Sequence, residues 1–197
     1  MRYSAEHKQN IRSTLLKAAA AAIRVDGPDR VGVADVMAKA GLTHGGFYAH
    51  FPSKDALVAA AIGAMFEERE ALILDATAGR GPVEALGLYV RYYLSRAHRD
   101  ARHSGCPIAA LASDLPRLET AARERYAEGV RRVRALIAAP FAALGHADAE
   151  ARADSMLAEL VGALAMARAE TDPERSDQIL AHCKRALLVR FDLENPS

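Results

Sequence analysis

Apolar residues recur at three- and four-residue intervals along most of the chain, the spacing of one buried face on an α-helix. Ile11, Leu15, Ala18, Ala22 and Ile23 mark a first helix, preceded by a polar, frayed residues 1–7 and stopped by Asp26-Gly27-Pro28-Asp29. Val33, Val36, Met37 and Ala40 mark a short second helix with Gly32 at its N-cap. Gly41 ends it, because glycine enters the left-handed C′ conformation without steric cost. Thr43 stands where a hydroxyl can cap a third helix, whose inward residues are Phe47 and Phe51. Pro52 breaks that helix and Ser53 caps the next. There Leu57, Val58, Ala61, Ile62, Met65, Phe66, Leu72 and Ile73 form one stripe, over about five turns, up to the break at Gly79-Arg80-Gly81-Pro82.

Beyond the break, Leu86, Val90, Tyr93 and Leu94 continue the helical pattern, which fades over the polar stretch Arg96–Gly105. Pro107 opens a short apolar helix, Ile108 to Ala112. Pro116 is the expected start of a long helix carrying Leu118, Tyr126, Val130, Val133, Ile137 and Phe141, which Pro140 should kink or end. Two last stripes follow, Met156 to Ala167 and Ile179 to Phe191, separated by Thr171-Asp172-Pro173. The expectation is an all-α protein of about nine helices, without strands, repeats or low-complexity segments.

The run Val33–Phe51 has the layout of a helix-turn-helix reader of the DNA major groove: helix, glycine turn, short second helix with a polar and aromatic outer face. Its words match as well. GLTHGGFYAHFPSKDAL resembles the signature of the tetracycline-repressor (TetR) family of transcriptional regulators, over roughly residues 8 to 66. The resemblance implies a three-helix DNA-binding head, residues 1–51. It also implies a ligand-binding and dimerisation body, residues 52–197, with a linking helix over about 53–78. It carries DNA contact onto Thr43, His44, Gly45, Gly46, Tyr48, His50 and Lys54. Physical chemistry supports these positions: His44 lies at the helix end that enters the groove, and Tyr48, His50 and Lys54 carry groups that bond phosphates or base edges. One position departs from the family: Gly32 replaces the usual threonine or serine and removes a hydroxyl that would bond phosphate.

Charge adds a little. The net charge is +1 overall; residues 1–60 carry +3 and the remainder −2, a basic head on a mildly acidic body. With 51% apolar and 26% charged residues the composition is that of a folded globular chain. No run is long enough to span a bilayer, and no signal peptide is apparent. Two distant cysteines, Cys106 and Cys183, suggest neither a disulfide framework nor structural zinc, so a reducing cytoplasm is expected.

Candidate chemistry in the body is sparser. Tyr89, Tyr93 and Tyr126, with Tyr92, Met156 and Met166, are candidates for lining an apolar effector pocket, or for plain core. Cys106 begins a short helix, where backbone N–H groups can favour a thiolate. Its context resembles the electrophile-responsive branch of TetR-like repressors, while the alternative is an inert buried thiol. His98, His103 and Cys106 fit no metal-ligand template, and no catalytic motif is present; no metal, cofactor or enzymatic activity is expected. Leu157, Leu160, Leu164, Cys183 and Leu187 are the candidate dimer interface. The expected function is a one-component regulator, a repressor of an inverted-repeat operator in double-stranded DNA. It acts as a homodimer released by an unknown small-molecule effector, or alternatively by an electrophile at Cys106; a helical protein–protein adaptor is the reading from another class.

Overall fold

The computed structural model describes residues 5–194, the side chains of Ala5 and His44 excepted. Among the described residues there are nine α-helices, three short 3₁₀ turns and no strand. In order, they are α1 (Ala5–Asp26), α2 (Val33–Lys39), a 3₁₀ turn at His44–Ala49, α3 (Lys54–Thr77) and α4 (Pro82–Tyr93). Next come α5 (Arg96–Asp100), a turn at Arg102–Ser104, α6 (Pro107–Leu111) and a turn at Leu115–Arg117. Three long helices close the chain: α7 (Thr120–Ala143), α8 (Ala149–Ala169) and α9 (Pro173–Arg190). The punctuation residues act as their chemistry demands. Gly27, Gly41, Gly79 and Gly145 all take positive φ at helix ends, and Ser53 accepts a hydrogen bond from the Ala56 amide at 3.1 Å to cap α3.

The chain packs as two compact units. The first comprises the residues up to Glu67 and Cys106–Gly129. In it α1 packs on α2 and α6, and α2 on the His44–Ala49 turn. Its buried side chains include Leu15, Ile23, Val36, Met37, Phe47, Phe51, Leu57, Ile62, Met65, Phe66, Leu111 and Tyr126. At one point this packing leaves no room for a side chain: a Cβ on Gly129 would lie 2.1 Å from the ring of Phe66.

The second unit comprises Glu68–Gly105 and the residues from Val130 onward. Here α8 packs against α9, α4 against both, and α5 against α8. Leu86, Val90, Tyr93, Val133, Ile137, Phe141, Leu160, Leu164 and Leu187 are among its buried residues. Arg99 joins α5 to α9 through Ser176 and Asp177, both at 2.8 Å.

Several expectations are corrected. Residues 5–7, read as frayed, belong to α1; residues 1–4 lie outside the described residues. The long seventh helix starts at Thr120, because Leu118 is extended (φ −83°, ψ 151°) and Pro116 belongs to the preceding turn. Pro140 does not end that helix, which runs on to Ala143 before Gly145 closes it. The polar stretch after Ser95, where the apolar pattern fades, holds the short helix α5: Ser95 caps it through the His98 amide, and the His98 ring is buried. Leu72 does not share the inward stripe with Ile73; it is 49% exposed.

Candidate nucleic-acid interface and effector cavity

The Gly41 turn is closed by backbone bonds. With φ at +70°, it lets the Leu42 amide reach back to the Met37 carbonyl at 2.9 Å and the Gly41 amide to Ala38 at 3.0 Å. The chain then enters a 3₁₀ turn rather than an α-helix, through Gly46 N–H to Thr43 O at 3.1 Å and His50 N–H to Phe47 O at 2.9 Å. Two successive glycines, among the poorest helix formers, explain the short element. Thr43 holds the N-cap position as expected, but its side chain makes no capping hydrogen bond; the turn closes through its carbonyl instead.

Phe47 and Phe51 are the inward anchors, stacked with ring centroids 5.9 Å apart. This anchoring turns Tyr48 outward: it is 71% exposed and meets Phe47 only edge-on, at 5.2 Å. His50 is half-buried, and its carbonyl accepts from Arg12 Nη1 at 3.2 Å. The same guanidinium sits 4.4 Å over the Phe51 ring, so α1 braces the end of the reading turn. Partial burial and the positive charges of Lys8 and Arg12 hold the His50 pKa below its ordinary value. The Lys54 ammonium donates to the Asp29 carbonyl at 2.8 Å, an intrachain contact the sequence does not suggest. The His44 side chain lies outside the described residues.

Gly45 and Gly46 are informative by elimination. Neither has positive φ. A Cβ on Gly45 would meet nothing within 4 Å, and one on Gly46 only Met37 Cε at 3.6 Å, an ordinary contact. Within the chain nothing in geometry or packing requires glycine here.

The second unit contains a cavity of about 380 Å³. Leu72, Ile73, Ala76 and Thr77 of α3 line it with Leu88, Tyr89 and Tyr92 of α4, and Arg69, Asp75 and Arg80 are its charged groups. Arg80 forms an ion pair with Glu84. Of the four residues expected to form an effector site, only Tyr89 lines this cavity. Tyr93 is buried, with its ring 5.8 Å from that of Tyr89. Cys106 and Tyr126 belong to the first unit. Cys106 is 1% exposed at the N-cap of the five-residue α6. Tyr126 donates to the Ile108 carbonyl at 3.3 Å, and burial, then the neighbouring Cys106, push its hydroxyl above its ordinary pKa. Sequence reasoning missed Arg69, since an arginine on a solvated-looking helix carries no mark of burial.

Of the expected dimer residues, Leu157, Leu160, Leu164 and Leu187 are already buried inside the single chain, and Cys183 is half-buried. The stripe between α8 and α9 fills the protomer's own interior. The outer face of α8 is different in kind: Ala151, Ser155, Ala158, Gly162, Ala165 and Ala169 are all exposed and small. No group of three or more His, Cys, Asp or Glu side chains among the described residues is placed to hold a metal ion, and none of the described helices is long and apolar enough to cross a membrane.

Two short helical elements joined by a glycine-closed turn, the second with an outer face open to solvent, have the layout of a helix-turn-helix unit, and the fold places the chain in that class. The family model for bacterial regulatory proteins of the tetR family matches residues 15–61, and that for the LmrA/YxaF-like transcriptional regulator C-terminal domain matches residues 82–182. The chain belongs to the TetR family of DNA-binding transcriptional regulators. No curated protein matches it. Solved structures do: a TetR-family regulator from Agrobacterium tumefaciens is 27% identical, with a TM-score of 0.79 over 93% of this chain and 98% of that one. A second, from Chloroflexus aurantiacus J-10-FL, is 27% identical with a TM-score of 0.80, over 95% and 96% of the two chains. The reduced form of E. coli NemR shares the fold at 19% identity, with a TM-score of 0.76 over 91% and 97%.

Proposed function

We propose that the protein is a repressor whose head, residues 1–51, reads an inverted-repeat operator through Thr43, His44, Gly45, Gly46, Tyr48 and His50, with Lys54 at the start of α3 adding a phosphate contact. The observation that carries this is the pair Gly45-Gly46. Each costs about 1 kcal/mol of helix stability against alanine, yet no positive φ and no close intrachain neighbour requires it. A duplex backbone lying against the turn supplies the missing reason. The outward Tyr48 and the positive charges of Lys8 and Arg12 around His50 suit a phosphate-facing surface. The test is operator selection with purified protein, followed by binding measured against salt. Lys54→Ala should flatten the salt slope by about one unit and His44→Ala should change base preference. Variants that bind the selected site like the parent overturn the reading, and a parent whose affinity ignores salt favours a protein-binding adaptor instead.

Two heads acting together require a two-fold dimer. The small exposed face of α8 supports a helix–helix interface formed there with α9, since small side chains let backbones approach closely. The body, residues 52–197, receives the signal in the cavity beside Tyr89 and Tyr92, and α3 carries it toward the head. A ligand shifts DNA affinity only by binding the two head arrangements unequally. The burial of Cys106 supports reversible occupation of this cavity over covalent modification of the thiol. Reception by binding, without turnover, completes the proposal.

A further inference from the structure

The inward face of α1 changes character along its length. Leu15, Ala19 and Ile23, four residues apart, are fully buried. Residues three and four apart lie one above the other on a helix, so one turn back the same face carries Arg12 and another turn back Lys8. Arg12 is half-buried and Lys8 exposed. The apolar face thus turns cationic where it reaches the end of the reading turn. There Arg12 Nη1 donates to the His50 carbonyl at 3.2 Å, and its guanidinium lies 4.4 Å over the Phe51 ring. A carbonyl and a ring face carry no net charge, and one such bond uses one of the five guanidinium N–H donors. Like charges four apart on a helix repel. Burial, and then the same two cations, hold the His50 ring below its ordinary pKa, and its Nδ1 is buried without a hydrogen-bond partner among the described residues. A neutral ring with its proton on Nε2 fits these surroundings, which leaves Lys8 and Arg12 as the charges at this end of the head.

We propose that Lys8 and Arg12 form a seat for a backbone phosphate of the duplex, so that α1 holds the sugar-phosphate chain while the His44–Ala49 turn meets the bases. This rests on the proposed contact of that turn with DNA and adds a second element to it. A phosphodiester carries a single negative charge shared between its free oxygens, which suits a guanidinium fork beside an ammonium. An anion between the two cations also relieves their mutual repulsion. The His50 carbonyl and the Phe51 ring fix the guanidinium of Arg12 to the end of the reading turn. The spacing between the seated phosphate and the reading turn is therefore set within the chain, before any DNA arrives. Contacts of this kind fix register and orientation on the duplex and carry no sequence information. Arg12 thus serves twice, binding the phosphate and positioning the turn.

The test is binding of the selected operator duplex by the full chain, read as log affinity against log salt. Each phosphate contact contributes a slope of about −0.9 on duplex DNA, so Lys8→Gln and Arg12→Gln should each flatten the slope by about one unit per head bound. Raising salt from about 50 to about 200 mM then costs each variant about three- to fourfold less affinity per head than it costs the parent. Arg12→Lys keeps the charge and loses the fork; it should bind more weakly with the parent's slope. Lys17→Gln, exposed further along α1, should leave the slope unchanged, and Lys8→Gln should select the parent's operator sequence. Should Arg12→Gln fail to fold, Lys8→Gln decides, because its side chain is exposed. An unchanged slope in Lys8→Gln or in folded Arg12→Gln overturns the proposal. So does flattening by Arg12→Lys or by Lys17→Gln, or a changed base preference in Lys8→Gln. A slope that flattens with Lys54→Ala but with neither Lys8→Gln nor Arg12→Gln overturns the seat alone; a parent whose affinity ignores salt overturns the reading beneath it as well.

Discussion

His98 offers a prediction whose size follows from its surroundings. The ring is 1% exposed, stacked on Tyr92 and edge-on to Tyr93 at 4.7 Å. Its Nδ1 lies 2.8 Å from the Tyr93 carbonyl, so Nδ1 carries the proton and donates. Burial lowers its pKa from 6.5 to about 4; the carbonyl opposes that shift, and the positive charges of Arg69 and Arg168 add to it. The folded chain therefore holds the imidazole neutral while the unfolded chain protonates it as pH falls below 6.5. Below that point the unfolded state binds more protons, so stability rises with pH and is lost on acidification. The stabilisation is complete above pH 6.5 and declines as pH falls toward 4. Linkage gives a loss of about 1 kcal/mol at pH 5.5 and about 3 kcal/mol at pH 4. The assay is urea unfolding of the parent and His98→Gln across that range, comparing the change with pH rather than stability at one pH. His98→Gln loses the ring stacking and is less stable near neutrality, but its decline on acidification should be smaller than the parent's by the amounts given. Parallel declines in the two proteins refute the reasoning.

Other outcomes follow from particular contacts. Gly45→Ala should raise stability by about 0.5–1 kcal/mol, since alanine is the better helix former and its Cβ meets nothing, while weakening operator binding; a variant that is both more stable and equally tight on DNA removes the argument from the glycines. Gly129→Ala should do the opposite. It gains about 1 kcal/mol of helix propensity but drives a Cβ to 2.1 Å from the buried Phe66 ring, so net destabilisation by about 1–3 kcal/mol is expected in urea unfolding, relieved when Phe66→Leu is combined with it. Gly162→Arg, on the exposed small face of α8, should give folded monomers in sedimentation with poor operator affinity, whereas Leu160→Glu buries a charge in the protomer and should unfold it instead. Cys106, 1% exposed, should leave the parent and Cys106→Ser with the same response to N-ethylmaleimide in an operator-release assay; release of the parent alone would restore the covalent trigger.

The head was legible because its signals are local. Gly41 demands a backbone conformation that few other residues accept, and Phe47 and Phe51, four apart, fix which side of the turn faces inward and hence that Tyr48 faces out. The type of the reading helix was not legible to the same depth, since two glycines weaken an α-helix without saying which tighter geometry replaces it. Arg69 and His98 were illegible for a common reason. Each sits among polar or charged neighbours in sequence, and burial of such a residue depends on elements distant in the chain: Ser104 and Tyr92 for Arg69, and α8, whose Arg168 donates to the His98 carbonyl, for His98. Periodicity reports a helix's faces and has nothing to say about a cation turned inward.

The candidate dimer residues show where periodicity is ambiguous. A leucine stripe on an amphipathic helix looks the same in sequence whether it covers its own core or a partner's. Leu157, Leu160, Leu164 and Leu187 are buried within one chain, where α8 packs against α9. What remains on the outside of α8 is Ala151, Ser155, Ala158, Gly162, Ala165 and Ala169, spaced by four, three, four, three and four residues. That is the seam spacing of helices that cross at a shallow angle, written in residues too small to register as hydrophobic. A solvated helix face usually carries long charged side chains, and Glu150 and Asp154 beside the stripe show that this helix uses them elsewhere. The alternation of four and three in small residues is the observation on which the proposed α8 interface rests, and it lies in the sequence on the face opposite the leucines.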